Sequence, residues 1–343
     1  MLYYLYNDFR EYHLFDINSR IRTDAIKCEK IKLTNISLFN LNKINKDDIL
    51  IITGCCIPST THNFILSDRE KYNTNDIKKY TQLLLSFNKK VILFEDIHNY
   101  TYRNFSYLFL DLKTYNIKYG ISMYNCDEWD YIKQNYNWNK TFILTHHYDS
   151  TTFYNMNLEK DIDILLYGDT KECYPLRKKI KEILESMTEL NVKIIHRGPY
   201  YTYDINSAIE HRKELSTLIN RSHICIATCS QFNYFVCKYL EITAANSVCA
   251  GNVESIGKEI FQNNFIELNL NMSDDEIKQK LIDGLKNKSV LKQMNENVYK
   301  KTSKFSIQNN YWDNLNSVIY KIQLDIPSEN NNIRRHARGL LKF

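Results

Sequence analysis

Short apolar runs alternate with amphipathic stretches along most of the chain, which predicts layers of largely parallel strands and helices. In the first half, the runs at 49–53, 91–94, 120–124 and 141–145 read as strands. Between them, 75–87 opens on an Asn/Asp cap signal and places Ile77, Tyr80, Leu84 and Phe87 along one stripe, as a core-facing helix would. Periodicity stops at His146 and returns with a strand at 162–167. From there the pattern predicts a helix at about 173–187, a strand at 192–195, a helix at 206–219 and a strand at 223–227. A helix at 234–245 and a strand at 247–250 follow, then helices starting at Ser273, near Ser289 and over 307–322. Two complete α/β patterns around one polar break predict two domains, 1–148 and 149–322, and a polar then basic tail at 323–343. The polar segment 146–158 is the expected hinge between them.

Length supports two domains, because 343 residues exceed the roughly 250–300 at which a single core stops growing. With 43% hydrophobic and 25% charged residues the chain reads as a globular protein. The 26 Tyr against 8 Gly and 4 Pro, with abundant Asn, Ile and Lys, point to an AT-rich genome such as that of a large DNA virus or a protist, and to no function. A net charge of +5, with one basic cluster at Arg334, Arg335, His336 and Arg338, is too small to argue for nucleic acid and suits a small anionic ligand. No apolar run approaches the roughly 20 residues of a membrane span, and the first residues lack the cationic start and apolar core of a signal peptide. The expected location is the cytoplasm, a host's if the chain is viral. Nine Cys without a CxxC pair or zinc spacing, among them vicinal Cys55 and Cys56 and the pair Cys225 and Cys229, read as reduced structural thiols.

The densest chemistry lies in 235–250, where a helix with Lys238 and Glu241 on one face runs through Ala244 and Ala245 to Asn246 and then a buried strand. Asn246 falls where the helix must stop, in the left-handed position that Asn shares with Gly. This segment resembles the nucleotide-binding half of GT-B glycosyltransferases, in particular the CgeB-like group of family-1-type enzymes, whose pattern reads Arg/Lys-x-x-Glu-x-x-Ala-x-Gly. The element order over 141–322 is similar to that half, and Tyr148, Asp149 and Phe153 are similar to a linker element of such proteins. Over 1–140 the likeness is architectural only. The resemblance implies a GT-B α/β fold: two Rossmann-like domains facing a cleft, with a C-terminal helix crossing back. It implies that Glu241 holds the donor ribose, that Lys238 lies near the diphosphate, and that a nucleotide sugar is the co-substrate. The family's Gly is Asn246 here, and Asn233 stands where many retaining members carry a Glu, so both stereochemical outcomes stay open.

A diphosphate leaving group needs backbone N–H groups and one or two cations. Gly168 directly follows a strand and would let backbone approach phosphate, and Arg177 stands on the next helix in Tyr174-Pro175-Leu176-Arg177, which is similar to the CgeB-like pattern at this point. Arg197 follows the strand at 192–195, on the edge where open α/β sheets collect ligands. On the acceptor side, Asp96 and His98 follow the strand at 91–94 and are suitable general bases, with His62 as a second candidate. No HExxH, P-loop or GxSxG occurs, so His146 and His147 read as linker hydrogen-bonders and no metal is expected. The sequence therefore predicts a glycosyltransferase that moves a sugar from a nucleotide-diphosphate donor to a glycan or other hydroxyl acceptor, with neither nucleic acid nor a membrane span involved. The alternative is a catalytically silent GT-B-like binding or scaffold protein.

Overall fold

A computed structural model describes residues 2–6, 31–35, 44–45, 47–53, 81–94, 112–123, 140–195, 205–254 and 256–325. Two wholly parallel sheets organise them. The first contains β1 (Leu2–Tyr6), β2 (Ile31–Asn35), β3 (Ile49–Thr53), β4 (Lys89–Phe94), β5 (Tyr119–Ser122) and β6 (Lys140–Ile143) in the order β2-β1-β3-β4-β5-β6. The second contains β7 (Ile162–Tyr167), β8 (Val192–Ile195), β9 (Ser222–Ile226), β10 (Val248–Gly251) and β11 (Ile266–Glu267) in the order β11-β10-β9-β7-β8. Every strand predicted from apolar runs is present to within about two residues at its ends. β1, β2 and β11 were not predicted: Leu2–Tyr6 is dominated by Tyr, and Ile31–Asn35 and Ile266–Glu267 are short and mixed, so none forms a clean apolar run.

Continuous burial explains the continuous apolar pattern. Ile49, Leu50, Ile51 and Ile52 are all buried, as both faces of an interior parallel strand must be. In the second sheet the two faces separate by alternation. Ile164, Leu166, Ile224, Ile226, Val248 and Ala250 pack with Leu176, Ile180, Ile183 and Leu184 of α1 (Pro175–Glu185). Leu165, Tyr167, Cys225 and Cys249 share the opposite core with Ile219 of α2 (Ile205–Asn220) and with Tyr239, Leu240 and Ile242 of α3 (Lys238–Ala244). After α4 (Ile256–Phe261), α5 (Asp274–Lys286) begins as its sequence predicts: the Ser273 hydroxyl accepts from the Glu276 amide, and the Glu276 side chain accepts from the Ser273 amide. α6 (Lys288–Thr302) follows, capped by Asn287. The part of the predicted 75–87 helix that lies among the described residues buries Leu84 and Phe87 as expected; Ile77 and Tyr80 fall outside them.

The chain passes between the two halves twice, side by side. The Tyr148 amide donates to the Phe305 carbonyl at 2.9 Å, and the Ile307 amide donates to the Tyr148 carbonyl at 2.8 Å. A π-helical turn (Ile307–Tyr311) then leads into α7 (Trp312–Asp325), whose Leu315, Val318, Ile319 and Ile322 pack on Ile49, Ile51, Val91, Leu93 and Ile121 of the first sheet. The returning C-terminal helix expected over 307–322 is thus present, running on to Asp325.

The crossing segment is polar in sequence yet buried in the fold. His147, Tyr148, Asp149 and Phe153 are each at most 3% exposed. His147 Nδ1 lies 2.8 Å from the Thr145 carbonyl and Nε2 lies 2.9 Å from Asn314 Nδ2 of the returning chain, the hydrogen-bonding role expected of that histidine. These polar residues are therefore buried, with partners on both passes of the crossing.

Candidate functional site at the switch point of the second sheet

β7 lies between β8 and β9, so the strand order reverses beside β7, and its carboxyl end is where an open parallel sheet leaves a crevice. Gly168 leaves β7 there with φ +98°, a conformation that favours glycine. A Cβ on Gly168 would stand 2.8 Å from Lys238 Nζ and 3.2 Å from Arg177 Nη1. Three residues singled out in sequence therefore meet at one point, although they come from a loop, α1 and α3.

Arg177 spans the crevice. Its Nη1 donates to the Asp169 carbonyl after β7 at 2.8 Å, and its Nη2 donates to the Thr228 carbonyl after β9 at 3.2 Å. The guanidinium lies 4.0 Å over the Tyr174 ring, and Nε has no hydrogen-bond partner among the described residues. The residue is 3% exposed, and burial pulls its pKa below the ordinary arginine value, although it remains a cation. Among the described residues no carboxylate forms an ion pair with it. Lys238 Nζ hydrogen-bonds the Tyr167 carbonyl and sits 4.0 Å over the Tyr167 ring. Two cations thus converge on the backbone at the end of β7.

Glu241 lies one helical turn beyond Lys238 on α3 and is 7% exposed. Its Oε1 accepts from Arg212 Nη2 of α2 at 3.2 Å. The same guanidinium lies 4.9 Å over the ring of Phe153, from the crossing segment. Tyr167 connects the two parts of the site: its phenol is buried, has no hydrogen-bond partner among the described residues, and has its pKa pushed well above the ordinary value first by burial and then by the Glu241 charge.

α3 ends as Asn246 predicted. With φ +62° at Asn246, the Ser247 amide donates to the Ile242 carbonyl and the Asn246 amide to the Thr243 carbonyl, the paired bonds of a Schellman cap. Asn thus serves where the family pattern has Gly. The helix start differs from expectation: α3 begins at Lys238, not 234, because Asn233 turns left-handed at φ +57° and Phe235 stacks on Tyr239 at 5.1 Å. Residues 234–236 carry no regular secondary structure, and Cys237, already in helical conformation, leads into the helix.

Of the remaining candidates, Arg197, His62, Asp96 and His98 lie outside the described residues. Arg212 and Tyr167 carry no local signal and were not singled out, and Phe153 was read only as part of a linker element; Arg212 reaches Glu241 from 29 positions away. Cys225 and Cys229 behave as expected of structural thiols: burial pushes both up to about 11, which leaves them protonated at neutral pH. Cys55 and Cys56 lie outside the described residues. No helix among the described residues is long and apolar enough to cross a membrane.

No family model matches the sequence, and no curated protein is similar to it in sequence. Solved structures are similar in fold. An alpha-glucosyltransferase in complex with UDP-glucose and DNA containing an abasic site superposes with a TM-score of 0.60 at 12% identity, covering 95% of this chain and 98% of that one. TarM gives 0.52 at 10% identity over 85% of this chain and 56% of that chain. The sucrose-phosphate synthase of Thermosynechococcus elongatus gives 0.50 at 10% identity over 80% of this chain and 73% of that one. The architecture is GT-B: two parallel α/β sheets of Rossmann type and a C-terminal helix returning to the first.

Proposed function

We propose that the protein is a glycosyltransferase that takes a sugar from a nucleoside-diphosphate donor, bound at the carboxyl ends of β7, β9 and β10, and delivers it to an acceptor hydroxyl. One observation carries the reading: a cation that is 3% exposed sits at the switch point of the sheet with no carboxylate partner among the described residues. A buried unpaired charge is costly, and an anionic ligand compensates it. Arginine has five donors; two serve the Asp169 and Thr228 carbonyls and Nε is buried, so two η N–H groups remain for phosphate oxygens. Lys238 adds a second positive charge, and Gly168 lets a phosphate approach the backbone where any side chain would strike both cations. To Glu241, one turn along the same helix, this reading assigns the hydrogen bonds from the ribose hydroxyls.

In the transfer, the acceptor oxygen bonds to the anomeric carbon, the bond from that carbon to the phosphate oxygen breaks, and the electron pair leaves with the nucleoside diphosphate. Arg177 and Lys238 stabilise that departing charge. The hydroxyl proton goes to a general base, for which Asp96, His98 and His62 remain the candidates; Arg197 remains a second donor-side candidate. The assignment to a CgeB-like group belongs with this reading and rests on Lys238, Glu241 and the segment around Arg177. The acceptor panel for any assay includes duplex DNA, because one similar fold is solved with DNA, and the sequence argument against nucleic acid rested only on a small net charge and a single basic cluster.

Substituting Glu241→Ala tests the donor site. It removes a charged acceptor worth about 1.5–3 kcal/mol, so nucleotide affinity by calorimetry should fall roughly ten- to a hundredfold. Unchanged affinity would reduce Lys238 and Glu241 to a helix face. Wild type with a panel of nucleotide sugars should show a thermal shift, since a ligand at about a hundred times its dissociation constant adds roughly 2.7 kcal/mol. Slow hydrolysis of that donor in water separates a working enzyme from a silent scaffold. Because Arg177 and Lys238 already supply positive charge, nucleotide affinity should be the same with and without chelator; loss of binding in chelator would overturn the metal-free site.

A further inference from the structure

Glu241 is held by a residue that no motif signals. Arg212 reaches it from α2, a separate element, and contacts only one carboxylate oxygen: Nη2 to Oε1 at 3.2 Å, a single contact rather than a bidentate fork. Oε2 makes no hydrogen bond among the described residues. Both side chains are largely removed from water, 15% exposed for Arg212 and 9% for Glu241. The guanidinium is itself fixed from below, lying 4.9 Å over Phe153, which is fully buried. Phe153 is fixed in turn by its amide, which donates to the Asp149 carbonyl at 2.8 Å.

From this geometry we infer that Arg212 is a positioning residue that selects ribonucleotide donors by orienting Glu241. The inference rests on the donor reading given above. A carboxylate has about four acceptor positions. With Oε1 turned toward Arg212, Oε2 presents its lone pairs in one fixed direction, and a ribose diol supplies two O–H donors to meet them. Without the guanidinium, the carboxylate would lose its hydrogen-bond donor among the described residues and turn toward water, away from the diol. Arg is suited to the task and Lys less so, since the planar cation both lies on an aromatic face and directs an N–H at the carboxylate.

The test compares, for wild type, Arg212→Met, Arg212→Lys and Glu241→Gln, the affinity of a nucleoside diphosphate and of its 2′,3′-dideoxy counterpart. The nucleotide is whichever of UDP, ADP, GDP and CDP the wild type binds tightest. Wild type should prefer the ribose form by roughly ten- to a hundredfold, the value of hydrogen bonds to a charged group. Arg212→Met should bring that ratio to within about threefold of unity while changing dideoxynucleotide affinity little, and Arg212→Lys should recover part of the ratio. In the double variant with Glu241→Gln, the loss should be no greater than for Glu241→Gln alone, since one residue acts through the other. If Arg212→Met fails to fold, Arg212→Lys and Arg212→Gln carry the same comparison. A wild-type ratio retained in folded Arg212 variants overturns the positioning role and leaves the donor site standing. A wild type that binds none of the four nucleotides removes the donor reading, and this inference with it.

Discussion

Arg177→Met is expected to weaken nucleoside-diphosphate binding by more than a hundredfold while leaving the unliganded protein folded. The guanidinium is 3% exposed and holds carbonyls on both sides of the switch point, after β7 and after β9. If its remaining donors make two hydrogen bonds to phosphate oxygens at about 1.5–3 kcal/mol each, their loss amounts to about 3–6 kcal/mol. That corresponds to at least a hundredfold in the dissociation constant. A purely structural arginine would behave differently. The unliganded fold spends desolvation energy on this cation, and a methionine of similar length relieves it, offsetting the two lost bonds to carbonyls. Unfolding of the unliganded variant should therefore shift by no more than about 1 kcal/mol. Binding of the free nucleoside, which has no phosphates, should change far less than binding of the diphosphate. Titration calorimetry with both ligands, alongside denaturant unfolding, decides it. Equal loss for nucleoside and diphosphate would place Arg177 in the scaffold.

Where each element reports its own burial, the sequence was readable. β3, β4, β7 and β9 are interior strands whose buried positions appear as short apolar runs, broken only by half-buried Asp163 in β7 and preceded by Lys89 and Lys90 in β4 and by Ser222 and His223 in β9. Asn246 was legible for a local reason as well: the φ it adopts, +62°, is set by helix termination, and Asn tolerates it. The meeting of Gly168, Arg177 and Lys238 was legible because parallel topology brings the ends of successive strands to one edge. What stayed hidden depends on distant contacts. Arg212 looks like any basic residue on a half-exposed helix until α2 is laid beside α3. β1 was hidden by its tyrosines, since an aromatic run without alternation matches neither period. The partners of the crossing segment were hidden for a related reason: His147 was expected to hydrogen-bond, but Asn314, and Gln308 for Asp149, are supplied by the returning chain more than 150 positions later.

Those partners lead to the second expectation, that Asp149→Ala destabilises the protein by about 3 kcal/mol at neutral pH and that the difference from wild type shrinks in acid. Asp149 Oδ1 accepts from the Thr151 amide at 3.0 Å, the Thr151 hydroxyl at 2.7 Å and Gln308 Nε2 at 2.6 Å, and Oδ2 accepts from the Thr152 hydroxyl at 2.5 Å. Gln308 Oε1 in turn accepts from the Ser150 amide at 2.9 Å and hydroxyl at 2.8 Å, so the outgoing and returning strands of the crossing are tied together. Alanine leaves several of these donors without an acceptor, at about 1–3 kcal/mol for each buried group, partly relieved by water reaching exposed Thr151. Burial acts to raise the Asp149 pKa, but the hydrogen bonds from Thr151, Thr152 and Gln308 together outweigh it and hold the carboxyl below its ordinary value. For a carboxyl whose folded pKa is depressed, the stabilisation is fully present above the unfolded value near 3.9 and is lost as pH falls through the folded one. Wild type should therefore lose stability over that acid range, and Asp149→Ala should lose less, so that the two denaturation midpoints converge. A constant gap between wild type and variant from pH 7 down to pH 3 would show that the carboxylate's charge contributes nothing to the crossing.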